Sequence, residues 1–228
     1  MKRSEINAII RESDSFIRSF GYVMPPFAYW SPDEMKTRVG DDAKAIDAAR
    51  LGWDITDYGA GDFSKMGLFL FTVRNGRMDD LKKGKGMLYA EKIMISRKDQ
   101  LSPMHRHELK AEDIINRGGG TLVIELYEKA ADGSPDRQSK VTVPCDGVMR
   151  TLEAGGHLKL APGESVTLMP GIWHAFWGEG EDVLIGEVST VNDDATDNIF
   201  HEDIGRFSTV EEDEAPLHLL VSDYDTWL

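Results

Sequence analysis

From Gly67 onward the chain is cut into short runs of β-type residues, and this punctuation constrains the fold more than any other feature. The runs are Leu68 to Val73, Leu88 to Ile95, Thr121 to Glu128, Val141 to Val143, Val148 to Leu152, Ser165 to Met169 and Val183 to Val188. Turn residues part them, as in Arg74-Asn75-Gly76, Asp132-Gly133-Ser134-Pro135 and Pro162-Gly163-Glu164. Many short strands so separated predict a mainly β body, a sandwich or small barrel, not alternating parallel units. The glycines at 118 to 120 are expected to allow a sharp reversal into the strand that starts at Thr121.

The first 65 residues have a different texture. Ile6, Ile9, Ile10, Phe16, Ile17 and Phe20 keep helical spacing, with Ser4 as the expected cap and Gly21 as the stop. A second helix is predicted after Ser31, where Pro32 suits the first helical position and Glu34 completes a capping box. A third is expected from about Asp41 to Leu51, closing at Gly52. The expected organisation is one domain: a helical arm over 1–65, a β body over 66–190, and a C-terminal segment over 191–228 able to act as a lid. In that segment the run Glu211-Glu212-Asp213-Glu214 reads as solvated surface, and Leu217 to Val221 as buried.

A length of 228 residues suffices for one sizeable core. The 26 Lys and Arg stand against 40 Asp and Glu, a net charge of −14 that repels nucleic acid and anionic membrane. No apolar run approaches a membrane span, and the start does not read as a signal peptide. The single Cys145 cannot form an internal disulfide, so the cytoplasm is the expected location.

The chemistry is concentrated in Pro103-Met-His105-Arg-His107-Glu-Leu-Lys110-Ala-Glu112 and in Pro170-Gly-Ile-Trp-His174. Three imidazoles and a carboxylate make a full protein ligand set for a divalent metal. On a strand His105 and His107 share one face, whereas Glu112 has the wrong parity, so the chain must bend between His107 and Glu112 if all are ligands. The turn at Pro170-Gly171 is expected to deliver His174 from another strand. His157, His201 and His218 have no such partners and default to solvent or packing roles. Trp30 and Trp53 are more readily core than ligand platforms, and Asp54 and Asp57 can be ordinary turn residues before Gly59.

These two motifs resemble those of the cupin superfamily, which implies an antiparallel jelly-roll type cupin β-barrel carrying the helical arm. The asparagine often found after the last histidine is absent, Trp177 and Gly178 standing there. Nearly the whole chain further resembles the D-lyxose isomerases, through Pro25-Pro-Phe-Ala-Tyr-Trp30, Leu51-Gly-Trp-Asp-Ile-Thr-Asp57, the span from His105 to Gly120, and Arg206-Phe207. The resemblance implies a D-lyxose ketol-isomerase working through an enediol, with D-mannose as a further substrate, while exposed sheet edges of such a barrel and the apolar face of the first helix lead to the expectation of a homodimer. Four protein ligands on an octahedral ion leave two positions for adjacent sugar oxygens, and mixed nitrogen and oxygen donors point to Mn2+, with Co2+, Fe2+, Ni2+ or Zn2+ as other occupants.

A base near C2 and an acid near the oxygens are then required. Lys110, between two ligands, is the candidate acid if the bend turns it inward. The resemblance implies a tail carboxylate as base, which selects Glu202, with Glu187, Asp193 and Asp194 as rivals. Two other classes fit the same ligands: an Fe(II)-dependent oxygenase, which oxygen dependence would reveal, and a sugar-binding module without turnover.

Overall fold

The computed structural model describes every residue from Met1 to Leu228. The first helix, α1 (Arg3–Ser19), buries Ile6, Ile9, Ile10 and Ile17 on one face. Its start differs from expectation, because no side chain caps it from within. Asp213 instead accepts from the backbone N–H of Ser4 at 2.9 Å and from its hydroxyl at 2.7 Å. The fully buried Arg3 pairs with Glu212 at 2.6 Å and Asp223 at 2.8 Å. The acidic run over Glu211 to Glu214 is exposed, as expected, and it also clamps the helix, Asp213 placing a carboxylate where a helix leaves unpaired N–H groups and positive dipole.

The second helix, α2 (Pro32–Gly40), starts after Ser31 as expected, with Ser31 accepting from the Glu34 N–H at 3.2 Å, although the Glu34 side chain does not reach back to complete the box. The third, α3 (Lys44–Ala48), is shorter than expected. Gly52 does not stop it; it opens a strand, at a φ of +134° where a Cβ would lie 2.5 Å from the Tyr224 hydroxyl.

The strands in chain order are β1 (Gly52–Thr56), β2 (Leu68–Arg74), β3 (Tyr89–Ser96), β4 (Ser102–Arg106), β5 (Glu112–Lys129), β6 (Pro135–Asp136), β7 (Val141–Cys145), β8 (Val148–Leu152), β9 (Gly156–Leu160), β10 (Ser165–Leu168), β11 (Trp173–Thr190) and β12 (Ile199–Phe200). Ten of them form one curled antiparallel sheet, while β7 and β8 make a hairpin of their own. Two strands of 18 residues, β5 and β11, pair with each other along both their halves. The glycines at 118 to 120 do not reverse the chain. They bend β5 in mid-strand, with a register shift against β11, and a Cβ at Gly119 would meet the Asp182 carbonyl at 2.0 Å. One half of β11 then pairs with β3 and the other with β4, so the sheet folds over itself.

Strand alternation divides the apolar residues between two faces. Phe69, Phe71, Ile93, Ile95 and Leu184 point toward α1 and share a cluster with Ile6, Ile10 and Trp53. Leu68, Leu70, Met94, Ile114, Val183 and Ile185 point into the fold of the sheet. Both faces of β2 are covered, which is why Leu68 to Val73 is buried without interruption. The 1–65 arm is thus more than a packed appendage, since β1 pairs with β2 as an integral edge strand.

Candidate active site

The inner face of the curled sheet carries the polar groups. His105, near the end of β4, lies opposite His174 near the start of β11, and β12 places Phe200 on the other side of His105. Beyond Arg106 the chain leaves the sheet, and the bend over Glu108 to Ala111 restores the parity that lets Glu112 begin β5 facing inward. The ring centroids of His105 lie 4.1 Å from His174 and 5.3 Å from His107.

Each imidazole has its Nδ1 against a backbone carbonyl: His105 on Pro103 at 2.8 Å, His107 on Asp197 at 2.7 Å, and His174 on Ile172 at 3.1 Å. A carbonyl only accepts, so Nδ1 carries the proton and Nε2 presents its lone pair. The three rings offer ligand atoms within 4.8 Å of one another. Glu112 Oε1 lies 3.2 Å from His174 Nε2 and 3.4 Å from His107 Nε2. Both Glu112 Oε1 and His107 Nε2 are buried without a hydrogen-bond donor. Converging lone pairs that repel one another in a buried site fit a cation held between them. Burial, reinforced by the neighbouring His174 and His107, holds the His105 imidazole well below its ordinary range, so the ring stays neutral as ligation requires.

Behind these four side chains runs a chain of alternating charge. Lys110, turned inward by the bend, donates to Glu112 Oε2 at 2.7 Å and to Glu187 Oε1 at 3.0 Å. Lys92 approaches the same Glu187 oxygen at 3.5 Å and Asp194 at 3.5 Å. Arg206 pairs with Asp54 at 2.6 Å and lies 3.6 Å from Asp194. Burial alone would lower the Lys110 ammonium, but Glu112, Glu187 and Asp194 outweigh it and raise it above its ordinary value. Burial would likewise raise the Glu112 carboxyl, yet the Lys110 ammonium beside it holds it well below the carboxylate range. Burial pushes the Tyr58 phenol up to about 12, which keeps this pocket residue a proton donor.

The residues singled out from sequence divide clearly in space. His105, His107, Lys110, Glu112, His174, Glu187 and Asp194 line one pocket, together with Phe200 and Arg206. Glu202 does not join them. Pairing of β12 with β4 directs Phe200 inward, and the chain then turns out to solvent over His201 to Asp203. Asp193 is engaged in capping a turn, accepting from Ala195, Thr196 and the Thr196 hydroxyl. Trp53 is core, its indole N–H on the Ala28 carbonyl, and Asp57 binds the N–H groups of Gly59 and Gly61 as a turn residue. Sequence reading missed Lys92, Arg206 as a pocket residue, and Asp197. A lysine inside the apolar run Ala90-Glu-Lys92-Ile-Met-Ile95 was a visible signal for the first, because parity sets it beside Met94 on the inner face.

The chain is similar to known proteins over nearly its whole length. A D-lyxose/D-mannose isomerase of Serratia proteamaculans is 47% identical over 227 residues, covering 98% of each chain. A D-lyxose/D-mannose isomerase of Escherichia coli is 42% identical over 226 residues, again covering 98% of each. Among solved structures, an L-ribose isomerase variant of Acinetobacter bound to L-ribose superposes with a TM-score of 0.60 at 16% identity, covering 92% of this chain and 98% of that one. An L-ribose isomerase of Cellulomonas parahominis, also with L-ribose, gives 0.58 at 16% identity over the same shares. At that identity the likeness is one of fold, and it is the cupin-like fold that the two histidine motifs imply. The model of the family described as D-lyxose isomerase matches residues 1–224, so the arm, the curled sheet and the tail all fall within the match, and the chain belongs to the D-lyxose isomerase family.

Proposed function

We propose that this protein is a divalent-metal-dependent aldose–ketose isomerase that converts D-lyxose to D-xylulose. D-mannose, which shares the configuration of D-lyxose at the first stereocentres, is converted to D-fructose. The names of the relatives at 47% and 42% identity support the substrates. The observation that carries the reading is the convergence of three imidazole Nε2 atoms and one carboxylate beside the ion-paired Glu187.

His105, His107, Glu112 and His174 would hold the ion, and their mixed donors suit Mn2+ first, then Co2+, Fe2+, Ni2+ or Zn2+. When bound it supplies Lewis-acid charge against the negative charge that develops as the enediol forms, a contribution of several kcal/mol. The remaining work belongs to side chains. Glu187 takes the proton from C2 of the open-chain aldose and returns it to C1. Lys110 donates a proton to O1 and recovers one from the hydroxyl on C2, leaving a C1 alcohol and a C2 ketone. Lys110 and Lys92 together fix the Glu187 carboxylate in place. Glu187 is favoured over Glu202 because it lies in the pocket whereas Glu202 is exposed.

We further propose a homodimer in the cytoplasm. Phe20 and Val188, both exposed, border one shallow groove that a second copy can cover, and no helix is long and apolar enough to cross a membrane. Proton NMR of D-lyxose in D2O tests the chemistry, with metal-stripped and then Mn2+-loaded protein. Metal-dependent xylulose with solvent deuterium at C1 supports the proton route. Oxygen uptake without isomerisation would overturn the reading.

A further inference from the structure

The bend between His107 and Glu112 is the one irregular segment in the ligand set, and its backbone groups are satisfied from elsewhere in the chain. Gly171 donates to the His107 carbonyl at 2.8 Å, and Thr190 exchanges hydrogen bonds with Ala111. The centre of the bend is held by one side chain. The buried Asp197 carboxylate accepts from the N–H groups of Glu108 at 2.9 Å, Leu109 at 3.1 Å and Lys110 at 2.9 Å. Three backbone N–H groups thus converge on one carboxylate in charge-assisted hydrogen bonds. The same residue's carbonyl accepts from His107 Nδ1 at 2.7 Å.

We infer that Asp197 is a positioning residue for the metal: its carboxylate sets the bend that brings Glu112 and Lys110 inward, while its carbonyl aims the His107 Nε2. The inference rests on the reading that His105, His107, Glu112 and His174 hold a divalent ion. Asp197 stands far along the chain from the ligands it arranges, at the end of the segment that also carries Asp194 into the pocket. Fixing that segment and assembling the metal site are therefore one event, because each side holds what the other needs. Outer partners of ligating histidines ordinarily govern metal affinity by ten- to a hundredfold.

The test is Mn2+ binding to the full chain, read from loss of the free-ion EPR signal, for wild type and Asp197→Asn. The amide keeps one acceptor oxygen and the backbone carbonyl but loses the charge and turns an NH2 toward the N–H groups. A Mn2+ dissociation constant weaker by at least about tenfold, with activity recovered at higher Mn2+, is expected. Equal affinity in the two proteins would overturn the inference and leave the metal reading standing. Failure of wild type to bind Mn2+ would strike the metal reading and this inference with it. Should the variant not fold, amide exchange in wild type decides. Mn2+ should slow exchange at Glu108, Leu109 and Lys110 by about tenfold or more, and unchanged exchange there would refute the coupling.

Discussion

The two ends of the pocket are built by different rules. At one end three of the proposed ligands, His105, His107 and Glu112, lie within eight residues of sequence, and a turn supplies His174. At the other, Asp54, Lys92, Glu187, Asp194 and Arg206 come from five separate segments and meet only through strand alternation and the return of the tail. The first end is a motif that a local bend can assemble. The second is a consequence of topology, since each member is an ordinary charged residue until the sheet curls. The difference predicts that damage at the ligand end removes the metal, whereas damage at the charge end leaves the metal bound and slows the chemistry.

The largest effect should follow His174→Ala. Loss of one of four donors is expected to release Mn2+ and to lower turnover of D-lyxose by more than about a thousandfold, the scale of several kcal/mol of charge stabilisation. Retained metal with full activity would erase the division between the ends. Glu187→Gln should come next, with turnover reduced by about a hundred- to ten-thousandfold, the usual range for a general base, and Mn2+ content unchanged. Glu202→Gln makes the matching control: it should stay within about twofold of wild type, and a collapse of its activity would transfer the base to the tail. Lys92→Met is smaller again. It removes one of two ammonium groups beside Glu187 and is expected to cost about tenfold in kcat with Mn2+ affinity intact, a modest share of an acid-base contribution.

The same division explains what could be seen in the sequence. The convergence of His105, His107, Glu112 and His174 and the need for a bend were legible because strand parity is a local rule, and His107 to Glu112 violates it visibly. The strands were legible where turn residues bound them, as at Val148 to Leu152. Gly52 to Thr56 was not, because a glycine followed by Trp-Asp-Ile-Thr reads equally as a helix stop and a turn, and only pairing with β2 makes it a strand. The acidic run at Glu211 to Glu214 was legible in its exposure but not in its contacts, for a related reason. Charge density alone suggests solvent, while its partners Arg3 and Ser4 lie at the opposite end of the chain. Glu187 was noticed as a carboxylate in an apolar strand, but its bond to Lys110 depended on the path of the bend.

The subtlest prediction concerns stability in acid and isolates Asp194. Burial would raise its carboxyl, but Lys92 and Arg206 outweigh burial and hold it well below the ordinary carboxylate range. A group whose folded pKa is depressed binds its proton more readily when the chain unfolds. Its stabilising contribution is therefore complete above the ordinary carboxylate pKa near 4 and is lost as pH falls below that value toward the folded one. Asp194→Asn should flatten the fall of Tm between about pH 4 and pH 2, with both proteins metal-free so that ligand protonation is not part of the comparison of loaded states. Asp54 has the opposite sign, because burial, more than Arg206 can offset, holds its carboxyl above the ordinary value. Asp54→Asn should thus leave the acid slope as steep as in wild type or steeper. If both variants flatten it alike, the charge end behaves as one undivided cluster, and the alternating order from Glu112 through Lys110, Glu187, Lys92, Asp194 and Arg206 to Asp54 has no separate energetic meaning.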